Sequence, residues 1–175
     1  MDKSLKFKEY RKQYVEFYYN SYSINEDEKV IYIEYEFEIQ KLTKFNPKLK
    51  IMKKNLNFKD LKSEYVKNMV FHIGMIELIS YWKVTCSPKV IIKCGYIDEE
   101  QKKWWKKTYY NGLGELFYIN GIKISIEEFM EIGCTDEKNK LEYQEIIDES
   151  DGYIVPIGGG KDSIVTLEVL NIDKE

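Results

Sequence analysis

The order of hydrophobic and polar positions first predicts strands. From residue 30 to residue 40 the two kinds alternate, and the apolar positions of one face are Ile31, Ile33, Tyr35, Phe37 and Ile39. Successive side chains of an extended chain point to opposite sides, so this segment is predicted to be a half-buried strand. Asn46-Pro47 breaks the pattern, and residues 49–52 follow as a partner strand. The first fifty or so residues therefore predict a small antiparallel sheet with one face in water.

From about residue 60 the pattern becomes helical, with Asp60 as the candidate N-cap. Apolar residues recur at spacings of three and four: Leu61, Tyr65, Met69, Ile73 and Ile76. Residues 69–82 are apolar on nearly every side, which predicts a central, buried helix. A membrane span is the alternative, but the apolar run is shorter than the ~20 residues that a span needs and contains charged side chains.

Shorter elements are predicted further along the chain. Residues 90–92 form an apolar strand of the buried type, and residues 98–100 supply acidic side chains at the start of a helix that ends near Tyr110. In that helix we expect Trp104 and Trp105 to point inward and the next two lysines outward, an arrangement favoured over stacking on nucleic-acid bases. Asn120-Gly121 predicts a hairpin between strands 116–119 and 122–126, and residues 127–132 a brief helix or turn.

Composition narrows the class of protein. Hydrophobic residues make up 43% and charged residues 33% of the 175 residues, as in soluble globular proteins. A net charge of -3 gives no basic field for nucleic acid. Three widely spaced cysteines and a single histidine disfavour a zinc site or a disulfide framework. The N-terminal residues are polar rather than apolar, so we expect a cytoplasmic protein without an export signal.

A glycine-rich segment carries the clearest chemistry. An apolar strand is predicted over residues 152–157, a helix over 164–170, and between them lie Gly158, Gly159, Gly160, Lys161, Asp162 and Ser163. A strand, a glycine turn and a helix aim backbone N–H groups at one point, where an anion can be held. A Walker loop requires Ser or Thr after its lysine, and here Asp162 follows. The alternative is a glycine-rich turn that binds no ligand.

The better match is the ATP-pyrophosphatase loop, Ser-Gly-Gly-x-Asp-Ser, in which Gly158 replaces the first serine. In this interpretation the three glycines and Ser163 hold the β and γ phosphates of ATP, with Lys161 as a charge partner. Asp162 is the candidate ligand for Mg²⁺, which prefers hard oxygen donors. The reaction class would be nucleotidyl transfer, in which AMP is attached to a carboxylate and pyrophosphate leaves.

Four segments carry a resemblance to a known family: Pro-Ile-Gly-Gly-Gly-Lys-Asp-Ser at 156–163, Phe-His-Ile-Gly at 71–74, Ser-Tyr-Trp-Lys at 80–83 and Gly-Leu-Gly-Glu-Leu-Phe-Tyr at 112–118. They resemble the ATP-dependent UDP-N-acetylmuramoyl-L-alanyl-L-glutamate epimerase family. The resemblance implies an adenylate on the terminal glutamate of a UDP-muramoyl dipeptide. That adenylate acidifies the α-proton, and inversion with hydrolysis to AMP gives the D-glutamate of peptidoglycan. The implied partner is this small molecule, with neither nucleic acid nor membrane involved.

Four polar residues of the helix predicted from about residue 60 are candidates for the proton transfer: His72, Glu77, Tyr81 and Lys83. They lie within about three turns, and polar groups in an otherwise apolar helix cost free energy unless they are paired or functional. The alternative for each is an ordinary packing role, such as a core histidine with its hydrogen bonds satisfied or a lysine at a helix end.

The predicted fold class is α+β. Residues 1–150 would form an N-terminal antiparallel sheet with packed helices, and residues 151–175 the first β-loop-α unit of a truncated α/β domain. Because an adenine pocket needs further βα units, we expect a shortened chain, a broken reading frame, or a subunit completed by a second, C-terminal chain. Two other hypotheses stay open: another pyrophosphatase-loop enzyme, such as an amide ligase or tRNA-modifying enzyme, and a binding module without catalysis.

Overall fold

A computed structural model describes residues 3–54, 61–135, 155 and 157–172. The chain divides into two compact units, Met1–Gln144 and Glu145–Glu175. The helices of the first unit are α1 (Lys3–Gln13), α2 (Glu64–Trp82), α3 (Glu99–Gly112), α4 (Gly114–Ile119) and α5 (Ile126–Phe129). Its strands are β1 (Glu16–Glu26), β2 (Val30–Ile39), β3 (Thr43–Phe45), β4 (Lys48–Met52), β5 (Lys89–Ile92) and β6 (Glu131–Cys134). The second unit contains α6 (Lys161–Ile172).

The six strands form one mixed sheet. Its order is β3-β2-β1-β5-β6, and β4 pairs with the other half of β2. The predicted antiparallel pairing is confirmed for β2 and β4, and β1 and β3, which were not predicted as strands, also pair antiparallel with β2. β5 runs parallel to both β1 and β6. A mixed sheet with packed helices is the predicted α+β class. The parallel extension brings a segment far along the chain next to the N-terminal hairpin.

The core lies between one face of the sheet and α2. The alternation predicted for β2 is confirmed, because each of the five residues predicted to share its apolar face is at most 2% exposed. From α2 the fully buried side chains are Phe71, Met75, Leu78 and Trp82. Tyr19 of β1 stacks on Phe71, with ring centroids 5.7 Å apart and an interplanar angle of 5°. Aromatic packing of this kind adds to the free energy gained by burial.

At Gly74, α2 lies directly against the side chains of β1 and β2. A Cβ at this position would lie 2.0 Å from the hydroxyl oxygen of Tyr19 and 2.8 Å from a ring carbon of Tyr35. Both tyrosines are buried, and the Tyr35 hydroxyl donates a hydrogen bond of 3.1 Å to the carbonyl of Val70. The absence of a side chain at Gly74 is therefore a packing requirement.

The structure corrects two expectations for α2. The helix begins three residues later than the Asp60 cap implied, since Ser63 is the N-cap and its hydroxyl accepts from the Val66 amide at 3.3 Å. Asp60 itself lies outside the described residues. The helix is also not buried on every side, because Met69 is 47% and Ile76 61% exposed. In the described segments we find no helix whose length and apolar character would carry it across a membrane.

The predicted hairpin around Asn120-Gly121 is wrong. Residues 116–119 belong to α4, and residues 122–125 are irregular. Gly121 has a φ of 62°, and the amide of Ile122 donates to the carbonyl of Phe117 at 2.9 Å. This is the hydrogen bond of a Schellman motif, which also places a positive-φ glycine after the last helical turn. The Asn-Gly pair therefore ends a helix instead of reversing a strand.

Other predictions have mixed outcomes. The strand predicted at residues 90–92 is confirmed as part of β5. The helix predicted to begin at residues 98–100 is confirmed as α3, with Asp98 as its N-cap in a capping box with Gln101. The brief helix after residue 126 is α5, but residues 131–134 form β6, which the sequence did not predict. Most of the predicted strand at 152–157 lies outside the described residues, and Val155 and Ile157 are irregular.

Candidate functional site

The predicted phosphate loop is an exposed turn that leads directly into α6. Gly158, Gly159 and Gly160 are exposed, and α6 begins at Lys161. Gly159 has a φ of 75°, a conformation that side chains rarely adopt, so glycine is required there. A Cβ on any of the three glycines would meet no described atom within 4 Å. The positive φ at Gly159, rather than crowding by neighbouring atoms, explains why this turn requires a glycine there.

The first turn of α6 presents groups that suit a phosphate. Lys161 and Asp162 are exposed and Ser163 is half-buried. The Ser163 hydroxyl donates to the carbonyl of Gly160 at 2.9 Å, and the Thr166 hydroxyl donates to the carbonyl of Asp162 at 2.8 Å. The first amides of a helix have no partner within the helix, and the helix dipole favours negative charge there. Backbone amides, an ammonium group and a hydroxyl are together a donor set that fits a phosphate group.

The described residues fit Mg²⁺ less well than they fit a phosphate group. In the parts of the chain that the structure describes, no group of three or more His, Cys, Asp or Glu residues is placed to hold a metal ion. Asp162 offers one exposed carboxylate. Mg²⁺ in nucleotide sites is commonly bound by one or two carboxylates together with phosphate oxygens. Asp162 therefore fits Mg²⁺ only as a partner of a bound nucleotide.

The four polar residues of α2 do not share one environment. His72 is half-buried and stacks against Trp105 of α3, with ring centroids 5.9 Å apart and an interplanar angle of 13°. Burial lowers the pKa of the His72 imidazole below its ordinary value, so the ring is neutral at pH 7. Lys83 caps the far end of the helix and is exposed. Eleven residues at 1.5 Å each separate these two along the helix axis.

Glu77 and Tyr81 lie on the sheet side of α2. The Tyr81 ring packs on Phe37 and Phe45, with ring centroids 5.5 and 5.0 Å apart. Burial, and then the negative charge of Glu77, raise the pKa of the Tyr81 hydroxyl. These two residues are one helical turn apart and interact electrostatically, whereas His72 contacts another element. The catalytic roles of all four residues stay predictions.

A groove between α2 and α3 was not predicted as a site. This α2–α3 groove has a volume of about 540 Å³ and is lined by Asn68, Met69, His72, Ile73, Ile76, Gln101, Trp104 and Trp105. The inward orientation predicted for the tryptophans is correct for Trp105, which is 6% exposed, and wrong for Trp104, which is 56% exposed. The groove-lining residues of α2 at positions 69, 72, 73 and 76, and those of α3 at 101, 104 and 105, recur at helical spacing. This spacing is the sequence signal from which the groove could have been predicted.

Comparison with known proteins identifies the family of this chain. The chain is an α+β domain followed by a glycine turn and a helix, and the family model described as the MurL N-terminal domain matches residues 8–175. The chain therefore belongs to the MurL N-terminal domain family.

A characterised relative agrees with this assignment. The chain is similar to UDP-N-acetyl-alpha-D-muramoyl-L-alanyl-L-glutamate epimerase of Xanthomonas oryzae pv. oryzae (strain MAFF 311018), with 31% identity over 102 residues. The matched region covers 56% of this chain and 21% of that enzyme, so the chain spans only a small part of its relative's length. No solved structure matches the chain significantly. The resemblance expected from the motifs is thus confirmed at the level of the family.

Proposed function

We propose that this chain is the N-terminal part of an ATP-dependent epimerase that inverts the terminal L-glutamate of UDP-N-acetylmuramoyl-L-alanyl-L-glutamate for peptidoglycan synthesis. The observation that carries the proposal is the family match over residues 8–175, which extends to the glycine turn and the helix after it. The name of the Xanthomonas relative supplies the substrate. We place this activity in the cytoplasm, where ATP is available.

The glycine turn would hold the phosphates. Gly159 shapes the backbone, the first amides of α6 donate to phosphate oxygens, and Lys161 adds a positive charge. The Ser163 hydroxyl, which donates to the Gly160 carbonyl in this structure, would donate to the same phosphate group after rotation. Asp162 would hold Mg²⁺, which would neutralise charge on the phosphates. ATP would supply the adenylyl group that becomes attached to the glutamate α-carboxylate, and pyrophosphate would leave. The attached adenylyl group would make the neighbouring α-proton more acidic. Proton removal from one face and return to the other inverts the centre, and hydrolysis releases AMP.

The test is a chimera in which residues 8–175 replace the part of the Xanthomonas epimerase that aligns with the MurL N-terminal domain family. The chimera is incubated with ATP, Mg²⁺ and the UDP-muramoyl dipeptide, and pyrophosphate, AMP and D-glutamate are measured, the last after acid hydrolysis and chiral separation. We expect all three products. Formation of pyrophosphate only when tRNA or an amine donor is added would instead identify another adenylylating enzyme.

A pair of glycine variants tests the loop within this chimera. Gly159→Val forces a β-branched side chain into positive φ and should reduce pyrophosphate release by at least about tenfold, since the turn can no longer present its amides. Gly112→Ala is the matched control, because a Cβ there meets no atom of the described residues within 4 Å. Equal pyrophosphate release by both variants would contradict the role of the loop.

Three of the four proton-transfer candidates lie in two packed environments, His72 against α3 and Glu77 with Tyr81 on the sheet side, and one variant tests each of these two. His72→Phe keeps a ring on Trp105, and Glu77→Gln keeps the shape of the side chain. Exchange of the glutamate α-proton with deuterated solvent is measured beside pyrophosphate release. A variant that releases pyrophosphate and loses exchange has lost the proton-transferring group. If both variants retain exchange, neither residue moves the proton.

A further inference from the structure

The α2–α3 groove presents a flat aromatic surface to solvent. The Trp104 indole is 56% exposed and stands at 85° to the Trp105 indole, with ring centroids 4.8 Å apart. The other face of this cluster is held firmly, because His72 stacks on Trp105 and the hydroxyl of Tyr109 donates to the carbonyl of Met75 at 2.5 Å. Trp104 is therefore an exposed ring on a rigid support, with space in front of it.

The remaining chemistry of the groove is apolar and uncharged, with two carboxamides. Among its lining residues there is no Lys, Arg, Asp or Glu, and His72 is neutral at pH 7 because burial lowers its pKa. A phosphate would find no cation among these described lining residues, whereas a neutral planar ring would lose little on leaving water. Met69 and Ile76 add exposed apolar surface on the α2 side.

The carboxamides supply the polar edges. The Gln101 carbonyl oxygen accepts from the backbone amide of Asp98 at 3.0 Å, which fixes the side chain and leaves its NH₂ group for a ligand. Asn68 lines the groove from the opposite helix. The Asn68 carboxamide has a donor and an acceptor side by side, which match the edge of a nucleobase, and the Gln101 NH₂ group adds a donor for a base oxygen or nitrogen.

We propose that the α2–α3 groove binds the base of a nucleotide, with Trp104 as the stacking platform and Asn68 and Gln101 as contacts to the edge of the base. A volume of about 540 Å³ accommodates a nucleoside. Two nucleotides of the proposed reaction carry such a base, the uridine nucleotide of the sugar substrate and ATP. The choice between these two rests on the proposed function, whereas base binding itself rests on the groove.

The test uses the 175-residue chain with UMP and AMP as separate probes. Binding is followed by saturation-transfer NMR and by calorimetry, so that the readout does not depend on tryptophan fluorescence. Trp104→Ala should weaken binding on the order of 10- to 100-fold, the range for loss of one base–aromatic stack. Trp104→Phe should retain most of the affinity. Tyr118→Ala is the matched control, because Tyr118 is 89% exposed and lies outside the groove.

Each outcome has one interpretation. Saturation transfer to the base protons of UMP assigns the groove to the nucleotide sugar, and transfer to those of AMP assigns it to ATP. No binding of either probe, or equal affinity of wild type and Trp104→Ala, overturns the proposal and leaves the groove as a surface for protein contacts. Epimerisation by the chimera is measured independently. Trp104-dependent binding of a base by the 175-residue chain, together with a chimera that does not epimerise, would contradict the proposed function and leave the groove proposal standing.

Discussion

Replacing Gly74 with alanine tests the close approach of α2 to the sheet. The added methyl would lie 2.0 Å from the Tyr19 hydroxyl oxygen, 2.6 Å from the adjoining ring carbon and 2.8 Å from a Tyr35 ring carbon. Neither ring has free space to move into, since both are buried and Tyr19 is stacked on Phe71. The helix or the rings must therefore shift, and the buried hydrogen bonds of the two hydroxyl groups shift with them.

The expected effect is the sum of three contributions. Overpacking a buried site costs about 1–3 kcal/mol. Loss or distortion of a buried hydroxyl hydrogen bond costs about 1–3 kcal/mol more. Alanine is favoured over glycine within a helix by about 1 kcal/mol, which offsets part of the loss. We expect the free energy of unfolding to fall by about 3 kcal/mol, which in a chain of this length lowers the melting temperature by roughly 6–12 °C.

Urea unfolding followed by far-UV circular dichroism measures this change. Gly112→Ala, also in a helix but with open space around the added carbon, should be neutral or stabilising by up to about 1 kcal/mol. Tyr19→Phe removes the nearest clashing atom, so it should cost less in the Gly74→Ala background than in wild type. If Gly74→Ala is as stable as Gly112→Ala, the helix does not approach the sheet as closely as described.

Three further predictions concern other contacts. The free energy of unfolding should fall as the pH drops below about 6.5, because the unfolded chain takes up a proton on His72, the single histidine, more readily than the folded chain does. His72→Phe should flatten this dependence between pH 7.5 and 5.5. An unchanged slope in the variant would contradict the prediction. Asp98→Ala should cost about 1 kcal/mol by removing the cap of α3, measurable as a shift of the urea midpoint. Arg11→Met should cost about 1–3 kcal/mol in the same assay, because the guanidinium donates to the carbonyls of Cys86 and Glu128 at 2.6 and 2.9 Å, and an effect near zero would show that water replaces it.

Local signals predicted part of the fold well. The strict alternation of β2 and the acidic start of α3 each depend on residues close in sequence, and both elements are confirmed. Asn120-Gly121 misled because a positive-φ glycine satisfies either a hairpin or the end of a helix. The choice is made by packing: Phe117 meets Tyr110 and Phe129, with ring centroids 5.5 and 5.8 Å apart, which a strand would not have placed together.

Non-local pairing explains what the sequence could not predict. β6 has four residues and contains Gly133, so its strand signal is weak until β5 lies beside it. The groove was missed for the same reason, because it exists only where α3 packs against α2. The polar residues of α2 look like one group in the sequence, yet the helix turns His72 towards α3 and Tyr81 towards the sheet. Their surroundings depend on which partner covers each face.

The central position of β1 has a consequence for the order of folding. β1 meets β2 across a short turn, whereas its pairing of Glu16 with Lys89 must wait until most of the domain has been drawn together. Closing long loops costs entropy before any contact compensates for it, so the hairpin should form early and the β5 edge late. Weakening β5 should then accelerate unfolding more than it slows refolding, and the hairpin should carry the higher φ-values.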